Sequence, residues 1–141
     1  SDPFCVDRHR GEFRHLVEGH IDILFANQAE IESLYRVNKF NDALQQVCGH
    51  CEIAALTRGP DGSVVVAGDE VHVIDALPMP IVTDTTGAGD LFAAGFLFGL
   101  THGWDLADCG RIGGLAAAEI IGHYGARPVA NLAKLLTDSG L

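Results

Sequence analysis

Asp84-Thr85-Thr86-Gly87-Ala88-Gly89-Asp90 is the stretch that most constrains this chain. An apolar segment with turn breakers, Met79-Pro80-Ile81-Val82, runs into it. Leu91-Phe92-Ala93-Ala94-Gly95-Phe96 leaves it with the pattern of a long apolar helix. Gly87 and Gly89 remove side chains where that helix begins, so backbone N–H groups there can face a ligand. A helix N-terminus carries unpaired donors and a partial positive charge, which together suit a phosphate. Asp90 sets a carboxylate beside that notch. An acid next to an anion site is costly unless it has a task, such as taking the proton of a hydroxyl that attacks a phosphoryl group. The bland alternative is a Gly-rich loop followed by an acidic first helical turn.

The rest of the chain reads as alternating helices and strands. Ser1 to Phe4 resembles the tail of a strand. Arg8 to Glu18 carries Phe13, Leu16 and Val17 at helical spacing, with Gly19 as its stop. Ile21 to Phe25 reads as a short strand, and Asn27 caps a helix through Tyr35. Asn41 offers a cap for Asp42 to Val47. Ile53 to Leu56, Val64 to Val66 and Val71 to Ile74 are β-rich, with Gly68-Asp69-Glu70 as the turn between the last two. The signature helix is expected to end near Gly99 or Leu100, and Asp105 to start an alanine-rich helix to about Ile121. Gly125 to Pro128 breaks that helix, and Asn131 to Leu136 closes the chain. Such alternation predicts an α/β fold, a three-layer α/β/α sandwich, with residues 1–141 as one domain's worth of chain.

With a net charge of −10, clustered Lys and Arg for nucleic acid or an anionic membrane are absent. No apolar run approaches the ~20 residues that span a bilayer. No basic-then-apolar leader is read, and four cysteines fit reduced thiols, so the expectation is a cytoplasmic protein. Cys48-Gly49-His50-Cys51 has the spacing of a thiol–disulfide oxidoreductase. Such a site should follow a strand and open a helix. Here a helical pattern ends at Gly49 and a strand follows, so Gly49 reads as the left-handed residue that stops a helix. The seven histidines show no metal-ligand spacing and imply no catalytic role.

Asp84 to Phe92 resembles, without a gap, the second signature of the ribokinase family, also called the phosphofructokinase-B family of carbohydrate and nucleoside kinases. Asn27-Gln28-Ala29-Glu30 is similar to its Asn-x-x-Glu motif, and Thr57-Arg58-Gly59-Pro60-Asp61-Gly62 to its Thr-x-Gly-x-x-Gly nucleotide loop. The resemblance implies a ribokinase-like fold, of which this chain would be the carboxyl-terminal, nucleotide-binding and catalytic part, because members are about twice this long. It implies an ATP-dependent kinase acting on a hydroxyl of a sugar or nucleoside. Tyr124 to Pro128 and the Asn27 region lean towards adenosine-kinase-like members.

By resemblance Asp90 is the catalytic base, and Gly87, Ala88 and Gly89 form the anion hole. Asn27, Thr57, Gly59 and Gly62 attend the nucleotide, and Glu30 organises Mg²⁺ through water. Asp84 and Thr86, with carbonyls near Ile120 to Gly125, are placed at a monovalent cation (K⁺) site. A homodimer is expected of the longer parent. The competing class is a non-catalytic nucleotide-binding or assembly module. On the residues alone, Asn27 and Glu30 read first as a helix cap with an acidic first turn, and only the family resemblance reverses that reading. Asp61-Gly62 is equally a tight turn between strands.

Overall fold

The computed structural model describes residues 2–79 and 81–140. Helices α1 (Pro3–Arg8) and α2 (Arg10–Gly19) come first, followed by strand β1 (Ile23–Asn27) and helices α3 (Gln28–Tyr35) and α4 (Phe40–Val47). Strands β2 (Ile53–Thr57), β3 (Ser63–Ala67) and β4 (Glu70–Ile74) follow, then helices α5 (Ala88–Thr101), α6 (Leu106–Ile121) and α7 (Leu132–Ser139). The four strands form one sheet in the order β1-β2-β3-β4. The chain divides into two compact units, Ser1–Gly59 with Val64–His72, and Pro60–Ser63 with Val73–Leu141.

In the first unit β1 and β2 pair in parallel, with Ile23 opposite Ile53 and Asn27 opposite Thr57. A parallel pair needs a long crossover, and α3 and α4 supply it. The buried core joins Val17 of α2, Ile31 and Leu34 of α3 and Ala43 and Val47 of α4 to Ala54 and Leu56 of β2. The Ile53-Ala-Ala-Leu-Thr57 run is near-continuously buried rather than alternating, as a strand covered on both faces should be.

Several boundaries differ from the sequence-based expectation. No strand tail precedes α2. Asp2 accepts the Cys5 amide at 2.8 Å and Pro3 occupies the first helical turn, the two residue types that start helices best; Ser1 lies outside the described residues. The helix expected over 8–18 is α2, which starts two residues later, after His9, and runs through Gly19 to close at His20; α1 is a separate helix before it. The first strand lies two residues later than expected. Asn41 does not cap α4, which starts at Phe40 behind Lys39 with no side-chain cap. Phe40 is buried, and the Arg58 guanidinium lies 4.5 Å above its ring. Packing of that ring sets the helix start, outweighing the capping preference of Asn41. Gly49 has φ 83° after α4, as a helix stop requires. The Pro80 turn breaker lies outside the described residues.

In the second unit α5 and α6 pack through glycine. A Cβ on Gly95 would sit 2.8 Å from the Ile112 carbonyl oxygen, and one on Gly113 2.8 Å from the Phe92 carbonyl oxygen. Each helix thus presents a glycine to the other's backbone. Phe92, Phe96, Cys109, Ile112, Ala116 and Ile120 are buried on these two helices. Gly114, one residue on, meets nothing within 4 Å. Gly95→Ala should therefore destabilise by ~1–3 kcal/mol through overpacking, whereas Gly114→Ala should stabilise by up to ~1 kcal/mol through helix propensity. Denaturant unfolding of the two variants checks this. Equal effects of one sign would contradict the packing assignment.

Candidate active site

Helix α5 begins immediately after Gly87, whose φ of 82° lies in the left-handed region. A Cβ there would also stand 2.9 Å from the Ala126 Cβ. Both the backbone conformation and the space require glycine. The Ala88 amide donates back to the Thr85 carbonyl at 3.1 Å, and the Leu91 amide to that of Gly87 at 2.9 Å. Between them, the Gly89 and Asp90 amides meet no carbonyl of the described residues. Of the three residues expected to form an anion hole, Gly87 makes the turn, Ala88 closes it and Gly89 keeps an amide with no backbone acceptor among the described residues. Asp90 stands on the first turn of α5 and is exposed. An exposed carboxylate beside unpaired helix-start amides can accept a proton from a group brought to the same notch.

Asp84 holds the turn in shape. Its Oδ1 accepts the Thr86 amide at 2.9 Å, a local Asx turn, and its Oδ2 accepts the Gly125 amide at 3.2 Å. The Thr83 amide and the longer Asp84 amide donate to the Ile121 carbonyl at 2.8 and 3.4 Å. The Thr83 hydroxyl donates to the Gly122 carbonyl at 3.2 Å. Of the groups expected at one cation site, Asp84, Thr86 and the Ile120–Gly125 backbone, the structure brings Asp84 and Thr86 together with Ile121, Gly122 and Gly125. Here they meet through hydrogen bonds to one another. Bonds from the Thr86 side chain and amide, then from the Gly125 amide, hold the Asp84 carboxyl below its ordinary value, with His123 adding to them against a small opposing effect of burial.

In the first unit Asn27 and Glu30 form a reciprocal capping box. The Asn27 side chain accepts the Glu30 amide at 2.9 Å, and Glu30 Oε2 accepts the Asn27 amide at 2.8 Å. Glu30 is buried and Asn27 exposed. The capping alternative is therefore realised in the fold. Thr57 faces Asn27 across the parallel register, and Gly59 follows with φ 57°. All three lie at the carboxyl end of a parallel pair, where α/β sheets characteristically take ligands. Gly62 has a different reason for being glycine. Its φ is 79°, and a Cβ would fall 2.0 Å from the Ile74 carbonyl oxygen. Gly62 is needed by the turn into β3, and Gly59 by its backbone conformation alone.

Cys48 and Cys51 are free, and they lie between the end of α4 and the start of β2. That is the reverse of the strand-to-helix placement that activates a thiol at a helix N-terminus. Burial raises the Cys51 thiol above its ordinary value. Among the described residues no group of three or more His, Cys, Asp or Glu is arranged to hold a metal ion directly, and no helix is long and apolar enough to cross a membrane.

Residues 1–132 match the pfkB family carbohydrate kinases. The chain belongs to that family. An uncharacterized sugar kinase of Archaeoglobus fulgidus is 36% identical over 122 residues, which cover 86% of this chain and 48% of that protein. Two solved structures superpose closely. A probable sugar kinase from Rhizobium etli is 47% identical with a TM-score of 0.96, and adenosine kinase from Sinorhizobium meliloti is 46% identical with a TM-score of 0.95. In both, the alignment covers 99% of this chain and 43% of the other. The chain spans less than half the length of these relatives and corresponds to their carboxyl-terminal part. The ribokinase-like α/β fold expected from the motifs is the fold of this pfkB chain, and its relatives are sugar, nucleoside and adenosine kinases.

Sequence reasoning placed the Gly125 backbone near Asp84 but missed the contributions of Ala126, Glu119 and His123. One signal was available: Glu119 is the only Asp, Glu, Lys or Arg between Arg111 and Arg127, four residues before His123.

The Asp84 clip gives a pH dependence with a definite sign. A carboxyl whose native pKa is depressed contributes stability above its unfolded value of about 3.9, lost as pH falls through the lower native value. The Thr86 and Gly125 amides should stay protected from exchange down to about pH 4 and loosen only on further acidification. A carboxyl titration by NMR reads the same group. An Asp84 midpoint at or above about 4 would contradict the clip.

Proposed function

We propose that this chain is the nucleotide-binding and catalytic part of a ribokinase-like domain in an ATP-dependent kinase. That kinase transfers the γ-phosphate to a hydroxyl of a sugar or nucleoside, with an adenosine-like acceptor favoured. The observation that carries the reading is the turn at Gly87, which leaves helix-start amides beside the exposed carboxylate of Asp90. Phosphoryl transfer needs an aligned oxygen nucleophile and neutralised charge on the transferred group. Asp90 orients the acceptor hydroxyl and takes its proton, and the Gly89 and Asp90 amides stabilise charge on the phosphate oxygens. The adenosine lean draws on the likeness to the Sinorhizobium meliloti adenosine kinase, and ATP use on a related Arabidopsis thaliana ribokinase solved with ribose and ATP. An intact turn with its acid in place counts against a non-catalytic assembly module.

Asn27, Thr57 and Gly59 would attend the nucleotide at the carboxyl end of β1 and β2, with Gly62 shaping the same loop. Glu30 gives one oxygen to the Asn27 amide, so its part with Mg²⁺ would run through water, an arrangement suited to a hard cation that keeps its hydration. Mg²⁺, when bound with ATP, would neutralise phosphate charge. Asp84 and Thr86 with the Ile120–Gly125 carbonyls would serve a monovalent cation such as K⁺. A cytoplasmic setting and a homodimer of a longer parent complete the reading.

Asp90→Asn, made in a polypeptide that carries this chain together with an amino-terminal half, should lower turnover by ~10²–10⁴-fold while ATP binding survives. Near-normal turnover would remove Asp90 from the role of base. The chain by itself should bind ATP weakly and phosphorylate neither adenosine nor ribose, because the rate of such a transfer comes mainly from holding both reactants in register. Incubation of the monodisperse chain with labelled ATP and a panel of nucleosides and sugars reads this directly. Robust product would mean that the acceptor site lies within these residues.

A further inference from the structure

Glu119 sits near the end of α6, and its side chain is only 8% exposed. Its Oε1 accepts the Val129 amide at 2.8 Å and the Ala130 amide at 2.7 Å, and lies 3.2 Å from His123 Nε2. Its Oε2 is buried without a hydrogen-bond partner among the described residues. Withdrawing a carboxylate from water is expensive unless the fold uses its charge. Burial pushes the Glu119 carboxyl up, but the Ala130 and Val129 amides and His123 together bring it below its ordinary value. Two converging amides on one carboxylate oxygen make a charge-assisted anchor.

What that anchor holds is the segment that leaves α6. Val129 and Ala130 are fixed at its far end and His123 at its near end. Between them, the Gly125 amide reaches Asp84 Oδ2, and the Ala126 methyl occupies the space beside Gly87 that a side chain would need. The segment therefore touches the Asp84–Gly87 turn at two points and is itself tied back at both ends to one carboxylate. We propose that Glu119, assisted by His123, is a positioning residue for that turn. It fixes residues 123–130 so that Gly125 and Ala126 hold the turn in the shape that opens α5 to an anion. The proposal rests on the reading that the turn takes a nucleotide phosphate.

Amide exchange in this chain, followed by NMR, tests it, with Glu119→Ala, Glu119→Gln and His123→Ala beside the unmodified protein. The Phe96 and Ile112 amides, in the packed part of α5 and α6, serve as internal reference. Glu119→Ala should speed exchange at Gly125 and Thr86 by about tenfold or more while the reference amides hold, since a charge-assisted bond is lost locally. Glu119→Gln keeps an acceptor oxygen for the Val129 and Ala130 amides and should recover most of the protection. His123→Ala should show a smaller effect of the same kind. ATP affinity, measured by calorimetry, should fall in Glu119→Ala and recover in Glu119→Gln. Acceleration at Val129 and Ala130 alone would overturn the proposal, and so would equal acceleration of Phe96 and Ile112. If the unmodified chain binds no ATP, the kinase reading fails, while the exchange pattern still decides whether Glu119 sets the turn.

Discussion

Two carboxylates and a glycine hold the end of this fold where chemistry is expected. Asp84 uses both oxygens on backbone amides, one two residues ahead and one 41 residues ahead. Gly87 then turns through the left-handed region against the Ala126 methyl. The order of causes runs from there. The Asx turn sets the path into Gly87, Gly87 sets where α5 begins, and the start of α5 decides which amides are left for a ligand. Without the clip, the same glycine-rich sequence would be an unrestrained loop, whose ordering would have to be offset at each binding event.

Helix pairing in the same unit gives that turn a stiff support. Gly95 and Gly113 let α5 and α6 approach until each helix lies against the other's carbonyls. Contact of this kind leaves little room for sliding, since interiors at native density transmit displacement rather than absorb it. The start of α5 and the end of α6, which supply the two sides of the Asp84 clip, are therefore held by one interface. The glycines there have a packing role, distinct from the conformational role of Gly87.

Much of this was legible in the chain itself. The string from Asp84 to Phe92 identified the family, and the order of helices and strands was readable from periodicity. Asn27 and Asp105 were readable as caps, and both accept the amide three residues on. The misreadings share a physical origin. At Asn41 a good cap lost to burial of Phe40, a long-range contact invisible in a local window. At the start of the chain, Asp2-Pro3 carried a helix signal that a short apolar stretch masked. Glu119 stood out as a lone charge, but its partners are backbone amides ten and eleven residues away, and backbone donors leave no mark in sequence. The capping box at Asn27 shows a different limit. One pair of side chains satisfies helix geometry completely, so the residue types alone do not separate a structural task from a metal-organising one.

The parallel register that sets Asn27 beside Thr57 also bears on how the chain acquires this arrangement. The two residues are 30 apart in sequence, and their strands meet only after the crossover through α3 and α4 has closed. Closing such a loop costs entropy before any strand bond forms, so parallel pairing belongs among the slower steps of folding. A slip of one residue would turn every side chain of the displaced strand to the opposite face. Because β2 is covered on both faces, the penalty for such a slip is steric: Leu56 would have to pack where Ala55 fits. Correct alignment of Asn27 with Thr57 is thus selected during folding by buried residues earlier in β2.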